Sequence, residues 1–244
     1  MCFQARSLIL LILAIAQTLI GVVYATPVSF TSGYQVESLG YFSGSLEFNA
    51  SSNTSASLTL ILTNSAATVS GGKIVGVALN LPSVSGSSIS GLSFSGPNAN
   101  FVSLGLTDNG IDAAPLGAFD FGATTISGAG MSASSPAWQN GFPNAGITIN
   151  SSGTFTFDFT GSNLTALSTL DFINAIAPGN TQGPSQFIAV RFQGFDGVNA
   201  GRSDKVGGII PTNPPPPVPV PASVWLLLSG LGSVGVLSRR KGVI

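Results

Sequence analysis

With 244 residues, a formal net charge of −1, one cysteine, no histidine and 7% charged residues, the chain is long enough for one or two domains and far less charged than an ordinary globular protein. No basic excess supports a nucleic-acid partner held through phosphates, and the lack of histidine removes the commonest general base and metal imidazole. The single thiol, Cys2, falls in a segment expected to be removed, which excludes disulfides, thiolate metal sites and cysteine nucleophiles from the mature chain.

Residues 1–25 read as a secretory signal peptide. Arg6 supplies the positive start, Leu8–Val23 is an apolar run broken only by Gln17, Thr18 and Gly21, and Val23-Tyr24-Ala25 places small or accepted residues at a cleavage site after Ala25. The alternative is a retained N-terminal membrane helix. Residues 26–210 then carry four cations, Lys73, Arg191, Arg202 and Lys205, and all nine acids, for a net charge of −5 that the basic ends of the chain conceal. Such an acidic, mostly uncharged-polar segment suits solubility and not adhesion to anionic membranes.

The periodicity of residues 26–210 is that of strands. Thr154–Thr160 alternates three phenylalanines on one face with threonine and aspartate on the other. Leu58–Thr63, Lys73–Leu79 and Phe187–Phe192 are further β-branched and aromatic runs. Gly, Ser, Asn and Pro clusters at 64–72, 82–90, 95–100, 127–144 and 179–183 separate them, and the best helical stretch, Thr165–Ile176, is weak. The pattern predicts an all-β domain, an antiparallel β-sandwich or jelly roll, whose core is filled by phenylalanine.

Four chemistries merit residues. For glycoside cleavage the carboxylates available are Glu37, Glu47, Asp158 and Asp171, and nothing in their spacing pairs any two at the separation the reaction needs. With no histidine and no Gly-x-Ser-x-Gly elbow in this segment, an enzyme is not expected. A calcium site is conceivable at Asp196, Asn199 and Asp204, with Asp108-Asn109-Gly110-Ile111-Asp112 as a second oxygen-rich loop; the alternative is an ordinary Asp/Asn/Gly turn. Trp138, beside Phe142, is either a sugar-stacking platform or a core residue. Arg191, inside an apolar strand, needs an anionic or carbonyl partner, and Asp204 or Asp196 could close the last hairpin with it as an ion pair.

The C-terminal part has three pieces. Residues 211–221 form a proline-rich tether that spans about 34 Å as polyproline II. Ala222–Ser238 is uncharged and reaches about 25 Å as a helix, short but sufficient for a membrane span. Trp225 sits at its outer edge, and Arg239-Arg240-Lys241 follows as a cytoplasmic stop. The expected organisation is therefore signal peptide 1–25, ectodomain 26–210, linker 211–221, and transmembrane helix with basic stop 222–244.

Val218-Pro219-Val220-Pro221-Ala222-Ser223-Val224-Trp225-Leu226, the Gly-rich apolar stretch and Arg239-Arg240-Lys241 resemble the PEP-CTERM protein-sorting tail, with Val220 where the motif's name has glutamate. The resemblance covers the last tenth of the chain. It implies a Gram-negative cell that makes extracellular polysaccharide, and an exosortase-like membrane transpeptidase that recognises Val218, Pro219, Val220, Pro221 and Ala222 and removes the tail. It implies an inner-membrane-anchored intermediate that ends at the cell surface or in the extracellular matrix. Arg191–Phe195 with Gly201–Lys205 is similar to a recurring ending of such ectodomains, a likeness that carries no activity. The expected function is that of a non-enzymatic surface or matrix protein associated with exopolysaccharide, with a glycan-binding module as the alternative.

Overall fold

The computed structural model describes residues 25–66, 71–126, 138, 141–179 and 186–211. The signal segment before Ala25, the sorting motif, the apolar tail and its basic stop lie outside the described residues.

Ten strands form one antiparallel sheet: β1 (Val28–Gln35), β2 (Phe42–Ser52), β3 (Ser55–Asn64), β4 (Gly71–Leu79), β5 (Ser88–Ser95), β6 (Phe101–Asp112), β7 (Ala118–Thr125), β8 (Ser152–Ser162), β9 (Ile188–Phe195) and β10 (Ser203–Ile209). Their order is β5-β8-β3-β2-β1-β10-β9-β4-β7-β6. The all-β, antiparallel expectation is met, with a refinement. Instead of two separate sheets facing each other, a single hydrogen-bonded sheet curls until its end strands β5 and β6 come into contact, a nearly closed barrel. The stretch read as a weak helix contains a 3-10 turn, Leu164–Ala166, and one short helix, α1 (Thr169–Asn174).

Phenylalanine explains the closure. On β8, Phe155, Phe157 and Phe159 are buried while Thr154, Asp158 and Thr160 are exposed, as the strict alternation requires. Phe121 on β7 packs edge-on against Phe157 and Phe159, with centroids 5.1 and 5.4 Å apart. Strands β7 and β8 are not paired with each other and lie on either side of the β5–β6 closure, so these contacts join the two ends of the sheet from inside. A ten-stranded barrel has a wider interior than an eight-stranded one, and large edge-to-face ring pairs fill it. Phe172 of α1 completes the cluster against Phe48 of β2 at 5.0 Å and Phe159 at 5.9 Å.

The β4, β7 and β9 sector is covered on both faces. Val77, Leu79, Ile188 and Val190 belong to the interior cluster, whereas Ala78 and Ala189, which point the other way, pack in a second cluster with Ile111, Leu116, Phe119 and Trp138. This sector therefore reads as near-continuous apolar runs, and β8, covered on one face, as alternation.

Candidate functional site

The first candidate, the β9–β10 hairpin, is a structural clamp. Asp204 is buried, and its carboxylate accepts four backbone N–H groups, from Glu37 and Lys205 on Oδ1 and from Leu39 and Gly40 on Oδ2, each at 2.8 Å. The loop joining β1 to β2 thus folds into a concave nest of amides around this anion. Asn199 accepts from Arg202 through Oδ1 at 3.3 Å, and Asp196 lies against Gly71, lining a different cleft with Lys73, Pro143 and Asn144. The three side chains of the calcium expectation, Asp196, Asn199 and Asp204, thus have separate surroundings, and the amide dipoles around Asp204 already supply positive charge to its carboxylate. Among the described residues no group of three or more His, Cys, Asp or Glu side chains gathers as for a metal ion.

The expected ion pair of Arg191 with Asp204 does not form, and the register gives the reason. In the β9–β10 ladder Lys205 pairs with Arg191 and Asp204 with Phe192, so Asp204 faces the opposite side from Arg191. Arg191 is buried, reaches Ser203 Oγ through one terminal nitrogen at 3.5 Å, and lies over the Trp138 ring with its Cζ 5.8 Å from the centroid. Burial lowers the affinity of its guanidinium for the proton. The neighbouring Lys205 ammonium is pulled below its ordinary range by burial and by the Arg191 charge, with Asp112 opposing, and it donates to the Ala114 carbonyl.

Trp138 itself is fully buried. Its indole lies against Gly76, where an added Cβ would sit 3.1 Å from Nε1. No ring face is exposed to a sugar, so Trp138 is the core residue of its two readings and not a surface stacking platform. The carboxylates considered for catalysis are dispersed among other tasks. Glu37 pairs with Arg202 at the surface, Asp158 is exposed on β8, Glu47 is half-buried on β2, and Asp171 accepts the backbone N–H and the hydroxyl of Ser168, both at 2.7 Å on Oδ2, in a capping box at the start of α1.

A site that the sequence did not single out lies where β4 runs out. Asn80 is 4% exposed, and among the described residues neither its amide nitrogen nor its amide oxygen has a hydrogen-bond partner. It borders a cleft of about 430 Å³ together with Asn109, Asp120, Asp171 and Asn174. The cleft is held open by backbone design. Asp120 on β7 accepts from Leu81 N at 2.8 Å and from Asn109 N at 2.7 Å, one on each carboxylate oxygen. Between Leu106, paired with Phe121, and Ile111, paired with Phe119, strand β6 throws out extra residues. In this bulge Asp108 and Asn109 adopt left-handed φ of 43° and 61°. The oxygen-rich loop at 108–112 is therefore a β-bulge wrapped on Asp120. A second cleft of about 680 Å³ adjoins the first across Leu81–Val84 and Asp120. In the sequence Asn80 is a polar residue between an apolar strand and Leu81-Pro82, which reads as a turn; only the folded neighbours show that its amide is buried.

No family model, no curated protein and no solved structure matches the chain. Among the described residues no helix is long and apolar enough to cross a membrane.

Proposed function

We propose that this is an exported, tail-sorted surface or extracellular-matrix protein, non-enzymatic and associated with exopolysaccharide. In this reading a signal peptide ending at Ala25 starts translocation. Ala222–Ser238 then halts it in the inner membrane, with Arg239-Arg240-Lys241 on the cytoplasmic side. An exosortase-like transpeptidase acts at Val218–Ala222, presented on the proline-rich tether. The single observation that carries the reading is the order of these three pieces at the C-terminus: proline tether with Val-Pro-Val-Pro-Ala, uncharged span, three adjacent cations. An uncharged-polar barrel with its acids spread among a clamp, a helix cap and a surface ion pair suits a binding or structural component.

Intact-mass measurement of the native protein from the cell envelope and from the medium tests the proposal. The expected mass lacks residues 1–25 and everything from about residue 220 onward. A mass that retains the chain through Ile244 would overturn tail processing and leave a permanent membrane anchor.

A further inference from the structure

We propose that the Asn80 cleft is a binding site for a neutral, hydroxyl-rich ligand of the saccharide class. Asn80 is a buried amide whose donor and acceptor both find no partner among the described residues, whereas the amide of buried Asn64 has a partner on each of its polar atoms. A buried amide left unpaired costs stability, so a ligand that completes both of its bonds has a built-in reward for entering.

The chemistry around Asn80 selects the class. Among the described residues Asp120 and Asp171 border the cleft and no Lys or Arg does, so an anionic ligand meets repulsion with no counter-charge there. A metal ion could use the carboxylates and Asn80 Oδ1 but would leave Nδ2–H buried without an acceptor. Each Asp120 oxygen also already accepts an amide. A hydroxyl group both donates and accepts. Both amide atoms of Asn80 are closed off in the free protein, so the side chain turns into the cleft on binding. One hydroxyl of a diol then accepts from Asn80 Nδ2–H while its neighbour donates to Asn80 Oδ1, and others donate to Asp171 Oδ1, the oxygen that Ser168 does not use. Leu81, Val84 and Ile176 supply apolar wall against which the C–H face of a pyranose can lie. The volume of about 430 Å³ falls within the range of small-molecule sites. The site stands on this geometry; that its saccharide is the matrix polysaccharide of the cell rests on the proposed function.

Saturation-transfer NMR on the full chain tests it, with neutral hexoses and their linear oligomers as probes and calcium chloride and sodium sulfate as competitors. Two variants accompany the wild type: Asn80→Leu, which removes both amide atoms, and Ser83→Trp, which fills the exposed rim of the cleft without touching the core. The expected result is saturable transfer from at least one probe, unaffected by either salt and weakened about tenfold or more by each variant. Absence of transfer from every probe up to about 100 mM, binding that survives either substitution, or displacement by calcium would overturn the proposal. Retention of the tail in the mass measurement would count against the matrix reading alone and leave this result standing.

Discussion

Two buried asparagines end adjacent strands of the sequence and are treated in opposite ways. Asn64, at the end of β3, donates through Nδ2 to the carbonyls of Gly72 at 3.0 Å and Ile147 at 2.9 Å, and accepts from Ala66 N at 3.1 Å. It ties three segments together and has a partner on both polar atoms of its amide. Asn80, one residue beyond β4, is as inaccessible as a core residue, yet its amide has no hydrogen-bond partner among the described residues. Buried polar groups in folded proteins are almost always paired. One amide is part of the frame; the other is an unfinished contact in a residue that borders a cleft.

The largest expected effect sharpens the frame side of that comparison. Asp204 resembles Asn64 in being completed by the fold, with a charge added. Asp204→Ala strands four amides around a buried position and is expected to cost about 4 kcal/mol, roughly 8–16 °C in Tm for a domain of this size. Calorimetry checks it, and a loss below about 1 kcal/mol would mean that the loop joining β1 to β2 finds other partners. Next, Asn64→Leu leaves two carbonyls and one N–H unpaired, for a loss of about 3 kcal/mol or roughly 6–12 °C. Asn80→Leu should go the other way. Removing an unpaired buried amide stabilises the free protein by about 1 kcal/mol, roughly 2–4 °C, the gain expected where function has kept a costly group.

The smallest effect concerns pH. Lys205 has a folded pKa lowered from 10.5, first by burial, then by Arg191, with Asp112 opposing. Between the lowered value and 10.5 the unfolded chain holds a proton that the folded protein has released, so stability rises with pH across that window. Lys205→Met removes this contribution. Denaturant unfolding at several alkaline pH values should show the wild type gaining on the variant as pH rises, and parallel curves would refute the assignment.

How much of this was legible in the sequence depended on how many faces each element buries. β8 was readable because one face is packed and the other wet, so Phe155, Phe157 and Phe159 alternate with Thr and Asp. β3, β4 and β9 were readable as apolar runs. β5, Ser-rich and largely uncovered, looked like part of a turn cluster, and β6 was hidden by its own bulge at 107–110, whose Asp, Asn and Gly are turn residues for sound steric reasons. The closure of one sheet into a barrel depends on contacts such as Phe121 with Phe157, between residues distant in the chain, which local pattern does not encode. Arg191 and Asp204 looked paired because they are near in sequence; the ladder register puts them on opposite faces. Asn80 carried no signal because an asparagine before Leu-Pro reads as a turn residue.

The most direct test of the account is a paired thermal unfolding measurement of Asn64→Leu and Asn80→Leu beside the wild type, in the same buffer without added saccharide. The account predicts opposite signs: Asn64→Leu melts lower, Asn80→Leu melts higher. A fall in Tm for Asn80→Leu comparable to that for Asn64→Leu would contradict it, because Asn80 would then be one more completed part of the frame, bonded through ordered water, and the cleft would have no unfinished contact to offer.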